Sequence, residues 1–187
     1  MLLFFGLVLG LAAGAAAKGK FLRLSALRGL WFAAAPLALN PIIRFCPQIP
    51  FWAKAVVITA IYLLIIMFAI SNRRYLTASS SIGLGTLCNY IVIAANGFRM
   101  PVSAKALAVY TDISAQSVYL KRPDYFIAEN GARLLFLGDV IYIPLPFMKS
   151  FISAGDIFIA AGVFLLVLTV MKDENAFNAE VNNEKHI

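Results

Sequence analysis

Two aspartates in a chain poor in charge have surroundings suited to acid–base chemistry. Asp139 lies in Leu137-Gly138-Asp139-Val140-Ile141 and Asp156 in Ala154-Gly155-Asp156-Ile157-Phe158, each after a glycine and ahead of apolar sequence. A carboxylate at the edge of a lipid-embedded segment costs about 2.5 kcal/mol or more, which makes such acids functional candidates. Two carboxyl groups about 3 Å apart cannot both ionise, so one keeps its proton while the other activates a water. Neither metal nor cofactor is expected here. Asp139 and Asp156 are the candidate pair, read as one shared site. Asn96 and Arg99, in Ala95-Asn96-Gly97-Phe98-Arg99-Met100-Pro101-Val102-Ser103, would project donors at the rim. Each also has an ordinary structural explanation. Asp156 falls where first-turn helix acids fall, worth about 0.3 to 1 kcal/mol from the helix dipole. Asn96-Gly97 reads as a left-handed helix termination, with Arg99 reaching toward headgroups.

Other chemistries lose their usual residues. The single histidine is His186, near the C-terminus, which removes the normal ligand of histidine-bound haem or zinc and the base of a histidine triad. Cys46 and Cys88 have no C-x-x-C or metal-type spacing and read as buried free thiols.

The elements that must position these residues are apolar helices. The chain is 61% hydrophobic and 13% charged, with 15 phenylalanines, and its mean hydropathy of +0.84 lies outside the range of soluble domains. The expected fold is all-α, a polytopic membrane protein with about five spans and a re-entrant or short extracytoplasmic helical segment. A single membrane domain covers residues 1–171, and a polar cytoplasmic tail covers 172–187. The spans are read at Met1–Ala17, at Gly29–Ile43 as a kinked or partly re-entrant run because of Pro36 and Pro41, at Ala55–Ser71, at Tyr75–Phe98 and at Ser150–Met171. Asp112 to Asp124 reads as an exposed loop. Leu134 to Pro146 reads as a short helix or re-entrant segment that brings Asp139 to the membrane surface.

Lys18, Lys20, Arg23 and Arg28 follow the first span, Arg73 and Arg74 the third, and Lys172 the last. Five spans put these on one face, the cytoplasmic one, with the N-terminus outside, while Arg44, Lys54 and the basic residues between Arg99 and Lys149 pull the other way. The +7 net charge meets anionic headgroups rather than nucleic acid. Lys18 to Leu30 fits either an amphipathic interfacial helix or a basic connector. Ala15-Ala16-Ala17 would suit a signal-peptide cleavage site, but no basic segment precedes the apolar run, so an uncleaved span is expected. Gly6, Gly10 and Gly14 form two overlapping G-x-x-x-G steps, a smooth face for another helix of the same chain or for a partner helix.

The strings Asn96-Gly97-Phe98-Arg99-Met100-Pro101-Val102-Ser103, Leu137-Gly138-Asp139 and Ser153-Ala154-Gly155-Asp156 resemble those of small bacterial membrane proteins grouped as a domain of unknown function. The resemblance covers most of the chain; it implies the bacterial cytoplasmic membrane and supplies no activity. A fainter resemblance is to lipoprotein signal peptidases, membrane aspartyl proteases whose final motif is similar to Phe151-Ile152-Ser153-Ala154-Gly155-Asp156. It implies Asn96, Asp139 and Asp156 as matching residues, amide cleavage with Asp139 and Asp156 as the catalytic acid and base, Asn96 or Arg99 as substrate-binding residues that steady the carbonyl or a lipid phosphate, and a lipid-linked or membrane-inserted peptide as substrate. Two departures count against it: no arginine follows Asp139, and no two-span hairpin separates Asn96 from Asp139. Competing readings are a non-catalytic membrane subunit or scaffold, with the acids capping helices, and an ion- or proton-coupled carrier, against which the lack of an internal repeat stands.

Overall fold

The computed structural model of the chain describes residues 2–46, 48–108, 124–128, 131–145 and 148–175. The expected loop from Asp112, apart from Asp124, and most of the C-terminal tail lie outside these residues. The fold is mostly helical. Its helices are α1 (Leu2–Ala16), α2 (Leu30–Phe45), α3 (Phe51–Ser71), α4 (Leu76–Ala95), the short α5 (Ala104–Ala108) and α6 (Ala154–Lys172). Three of them, α3, α4 and α6, are long and apolar enough to cross a membrane. At 1.5 Å per residue the 21 residues of α3 reach about 31 Å, whereas the 15 of α1 reach about 22 Å. The helix of α2 runs through Pro36 and Pro41 without ending.

The helix α6 is the hub. It packs against α1 on one side and α4 on the other, while α4 continues to α3 and α3 to α2. Small residues set these approaches. Gly6, Gly10 and Gly14 are the buried residues of α1, and a methyl built on Gly10 would lie 3.0 Å from the Phe164 carbonyl oxygen. The G-x-x-x-G face is therefore taken up by α6 of the same chain. On the other side, a methyl on Gly162 would meet the Ala78 carbonyl at 2.8 Å, and one on Gly85 would collide with the carbonyl of Gly155. Such contacts bring backbones close enough for dense packing where no water drives helices together. The small-polar patch of α4 serves two neighbours: the Ser81 hydroxyl donates to the Phe158 carbonyl of α6 at 2.8 Å, and that of Ser79 to the Asn72 carbonyl at the end of α3 at 2.7 Å.

One end of the bundle, the basic end, carries Lys18, Lys20, Arg23, Arg28, Arg73, Arg74 and Lys172. Lys18–Leu30 is a connector built around a 3-10 turn, Phe21–Ala26, and it docks on the end of α6: Arg23 Nη1 and the Lys20 N–H both donate to the Met171 carbonyl at 3.0 Å. Asn72, buried at the end of α3, accepts from the Arg28 N–H at 3.0 Å and donates to the Arg28 carbonyl at 2.9 Å. Asp173 accepts from the Tyr75 hydroxyl at 3.0 Å and pairs with Arg74 at 3.1 Å. Ile82, Leu166 and Val170 pack with Phe68 beneath this end.

The opposite end departs from the expected helical or re-entrant segment. Strands β1 (Met100–Ser103) and β2 (Tyr125–Ala128) pair in parallel, with Met100 opposite Tyr125. After a 3-10 turn at Leu135–Leu137, β3 (Ile141–Leu145) and β4 (Met148–Ile152) form an antiparallel pair, with Tyr142 opposite Phe151. The run Ile141-Tyr142-Ile143 is β-branched and aromatic, and Pro144 denies a helix its hydrogen bond, so the segment pairs as an edge strand. In consequence the last helix starts at Ala154, not at Ser150. Cys46, expected to be buried, is exposed in the turn after α2, and Cys88 is half-buried.

Candidate functional site

Asp156 sits in the first turn of α6 and is held from two sides. Ser153 is the N-cap, in extended conformation: its hydroxyl accepts from the Asp156 N–H at 3.0 Å, and its own N–H donates to Asp156 Oδ2 at 3.2 Å, a complete capping box. Asn89 reaches across from α4, donating through Nδ2 to Asp156 Oδ1 at 2.9 Å and accepting from the Ser153 hydroxyl at 2.8 Å. The three side chains thus close a ring of hydrogen bonds. Asn89 and Ser153 are buried, at 4% and 0% exposure, where an unmet polar group would be costly. The glycines explain how Asn89 gets so near: a methyl on Gly155 would run into the Asn89 amide and lie 2.7 Å from the Gly85 carbonyl.

This ring borders a cavity of about 360 Å³ between the helices and the strands. Asn40, Tyr62, Asn89, Asp124 and Asp156 supply its polar wall, and isoleucines such as Ile61 and Ile159 its apolar one. Behind Tyr62, Tyr90 packs at a tilt of 46° with 5.6 Å between ring centres, and its hydroxyl lies 3.2 Å from that of Thr59.

Asp139 has a different setting. Its side chain is buried at 1% exposure. Its N–H donates to the Pro101 carbonyl at 2.9 Å and its carbonyl accepts from the Ser103 N–H at 3.2 Å, so Asp139 pairs with β1 through a single parallel bridge to Val102. Gly138 permits this, because a methyl there would stand 2.6 Å from the Pro101 oxygen. Both acids belong to the loop-bearing end, but the hydrogen bonds on Asp156 come from Asn89 and Ser153, and Asp139 does not line the cavity beside Asp156.

Asn96 caps the end of α4. Gly97 takes a φ of +65°, and the Phe98 N–H returns to the Ile93 carbonyl at 2.9 Å, the six-to-one bond of a Schellman termination. The Asn96 amide donates to the carbonyls of Val92 and Arg133, both at 2.7 Å, and accepts from the Arg133 N–H at 2.9 Å, tying the chain before β3 to the helix end. Asn96 and Arg99 border a second cavity, of about 370 Å³, between the α2–α3 turn and the end of α4. Among the described residues no group of three His, Cys, Asp or Glu side chains converges. The sequence marks Asn89-Tyr90 as part of the polar string at the end of this span but gives Asn89 no role; the signal for one is an amide seven positions before Asn96, on the Gly85 face of an apolar helix.

A mostly helical fold with three span-capable helices, and a polar ring at one helix start, defines a protein of membrane-compatible build. Residues 25–168 match the model of a family described as Family of unknown function (DUF5317), and the chain belongs to that family. No curated protein and no solved structure matches it.

Proposed function

We propose that this is a multi-pass protein of the bacterial cytoplasmic membrane that binds a lipid-linked or membrane-inserted peptide on the extracytoplasmic side, in the cavity beside Asp156. The observation that carries the reading is the meeting of Asp156, Asn89 and Asn40 with isoleucine walls around about 360 Å³, a volume in the range of ligand pockets. Apolar walls suit the lipid or side-chain part, while the carboxylate and amides suit peptide N–H and C=O groups. The membrane setting is supported by large exposed side chains such as Leu37, Phe45 and Trp52, each at 70% exposure or more, which are costly in water and natural in lipid. Orientation is supported by the basic end, which the positive-inside bias assigns to the cytoplasm. Binding is favoured over cleavage because both oxygens of Asp156 already accept hydrogen bonds from Asn89 and Ser153.

The test is a photoreactive amino acid in place of Ile61, which lines the cavity. Crosslinking in intact membranes is expected to yield a peptide-bearing adduct, abolished when Ile159→Trp fills the space. An adduct pattern unchanged by Ile159→Trp would sink the binding site. The second reading, amide cleavage by Asp139 and Asp156, is favoured by their location at the same end of the bundle. Asp139→Asn and Asp156→Asn at normal abundance separate the two: full rescue of a deletion strain by both ends the cleavage reading.

A further inference from the structure

The second cavity carries a charge that the reading above does not use. Lys54 lies in the first turn of α3, a span-capable helix, and it lines this cavity together with Arg99 from the end of α4. Among the described residues neither cation makes an ion pair, and the two lie near enough for the charge of Arg99 to act on Lys54. Asp124, which borders the other cavity, also acts on Lys54. Two like charges facing one space repel each other until an anion enters. Lys54 is half-buried and Arg99 stands exposed at the mouth, and Lys and Arg donors converging on a pocket match a phosphate.

We infer that the space between the α2–α3 turn and the end of α4 is a phosphate site, with Lys54 and Arg99 as its ligands and the headgroup of an anionic lipid as the occupant its surroundings favour. Ile43 and Phe51 give the cavity an apolar flank. Phe45, Phe51 and Trp52, all strongly exposed, ring the same turn as an aromatic belt rings a membrane interface. Asn96 borders the space, but its amide is committed to Val92 and Arg133, so it shapes the wall and leaves recognition to the cations. The inference rests on the membrane reading and is independent of the Asp156 cavity.

The experiment is native mass spectrometry of the full chain released from mild detergent, titrated separately with phosphatidylglycerol, with diacylglycerol of the same acyl chains and with inorganic phosphate. Phosphatidylglycerol should bind at least tenfold more tightly than diacylglycerol. Lys54→Gln and Arg99→Gln, which keep length and hydrogen-bonding capacity, should each weaken it several-fold, and Asp156→Asn should leave it unchanged. Binding of inorganic phosphate with the same dependence on Lys54 and Arg99, and without preference for the lipid, would support the phosphate site and assign it to a soluble phosphate. Equal binding of diacylglycerol, or lipid binding indifferent to both substitutions, would overturn it. The Asp156→Asn arm separates this outcome from failure of the peptide-binding reading, since only the latter involves Asp156.

Discussion

Asn89 donates to one neighbour and accepts from another, so its loss exposes two groups at once. Asn89→Ala would leave the Ser153 hydroxyl and Asp156 Oδ1 without their cross-helix partner in a buried setting, at a cost of about 1–3 kcal/mol. Asp156→Asn is expected to be milder, about 0.5–2 kcal/mol: an amide keeps one acceptor for Asn89 but turns an NH2 toward the Ser153 N–H, breaking half of the capping box. Denaturant unfolding in a single detergent, comparing the two variants, checks the order; Asn89→Ala milder than Asp156→Asn would refute the ring as drawn. The ring also shows where sequence reading stops. The cap was legible, since Ser153 and Asp156 stand three apart ahead of an apolar run. Its third member lies 67 residues before Asp156, and no local pattern ties an amide in α4 to the start of another helix.

The elements follow hydropathy where lipid or core is the only demand on them. α3 and α6 appear close to where uncharged runs place them, because 20 or so apolar residues without a breaker have no better conformation than a helix in lipid. The segment before α6 was read as helical or re-entrant, and there side-chain shape outweighed hydrophobicity: Ile141-Tyr142-Ile143 found a partner in Ser150-Phe151-Ile152. Contact between helices is where glycines can be tested. Gly6→Ala and Gly155→Ala should each destabilise by about 1–3 kcal/mol, since the added methyl meets backbone or a packed amide that cannot yield. Gly83→Ala, on the same α4 as Gly85 but with nothing within 4 Å, should be neutral or stabilising by up to about 1 kcal/mol through helix propensity. Thermal melting of the three variants decides; a Gly83→Ala as damaging as Gly155→Ala would contradict the seam. At the basic end, burial and the hydrogen bond to Asp173 push the Tyr75 hydroxyl up to about 12. Because the folded value lies above the unfolded value near 10, this contact contributes fully below about pH 10 and is lost as pH rises from 10 toward 12. Tyr75→Phe should therefore lose the alkaline step of the wild-type stability profile in that window, and an unchanged step would assign it to another group.

For the molecule as a whole, the two ends differ in architecture: tight connectors at one, strands and both cavities at the other. In a cysteine-free background, Lys105→Cys at the strand-bearing end should react with an impermeant thiol reagent on intact cells, and Arg73→Cys at the basic end should react only after permeabilisation. Reversed labelling would turn the molecule over and move Asp156 and both cavities to the cytoplasmic side.

The pairing of α1 with α6 has a consequence for biosynthesis. α1 and α6 are direct neighbours, joined through Gly6, Gly10 and Gly14, while everything between them is built in the interval. With some 140 residues separating the two and translation at about 5–20 residues per second, α1 waits roughly 7–30 s before its partner exists. During that time its three glycines present a bare groove to any passing helix. A ribosome that stalls before α6 therefore releases an open molecule with an uncovered adhesive face.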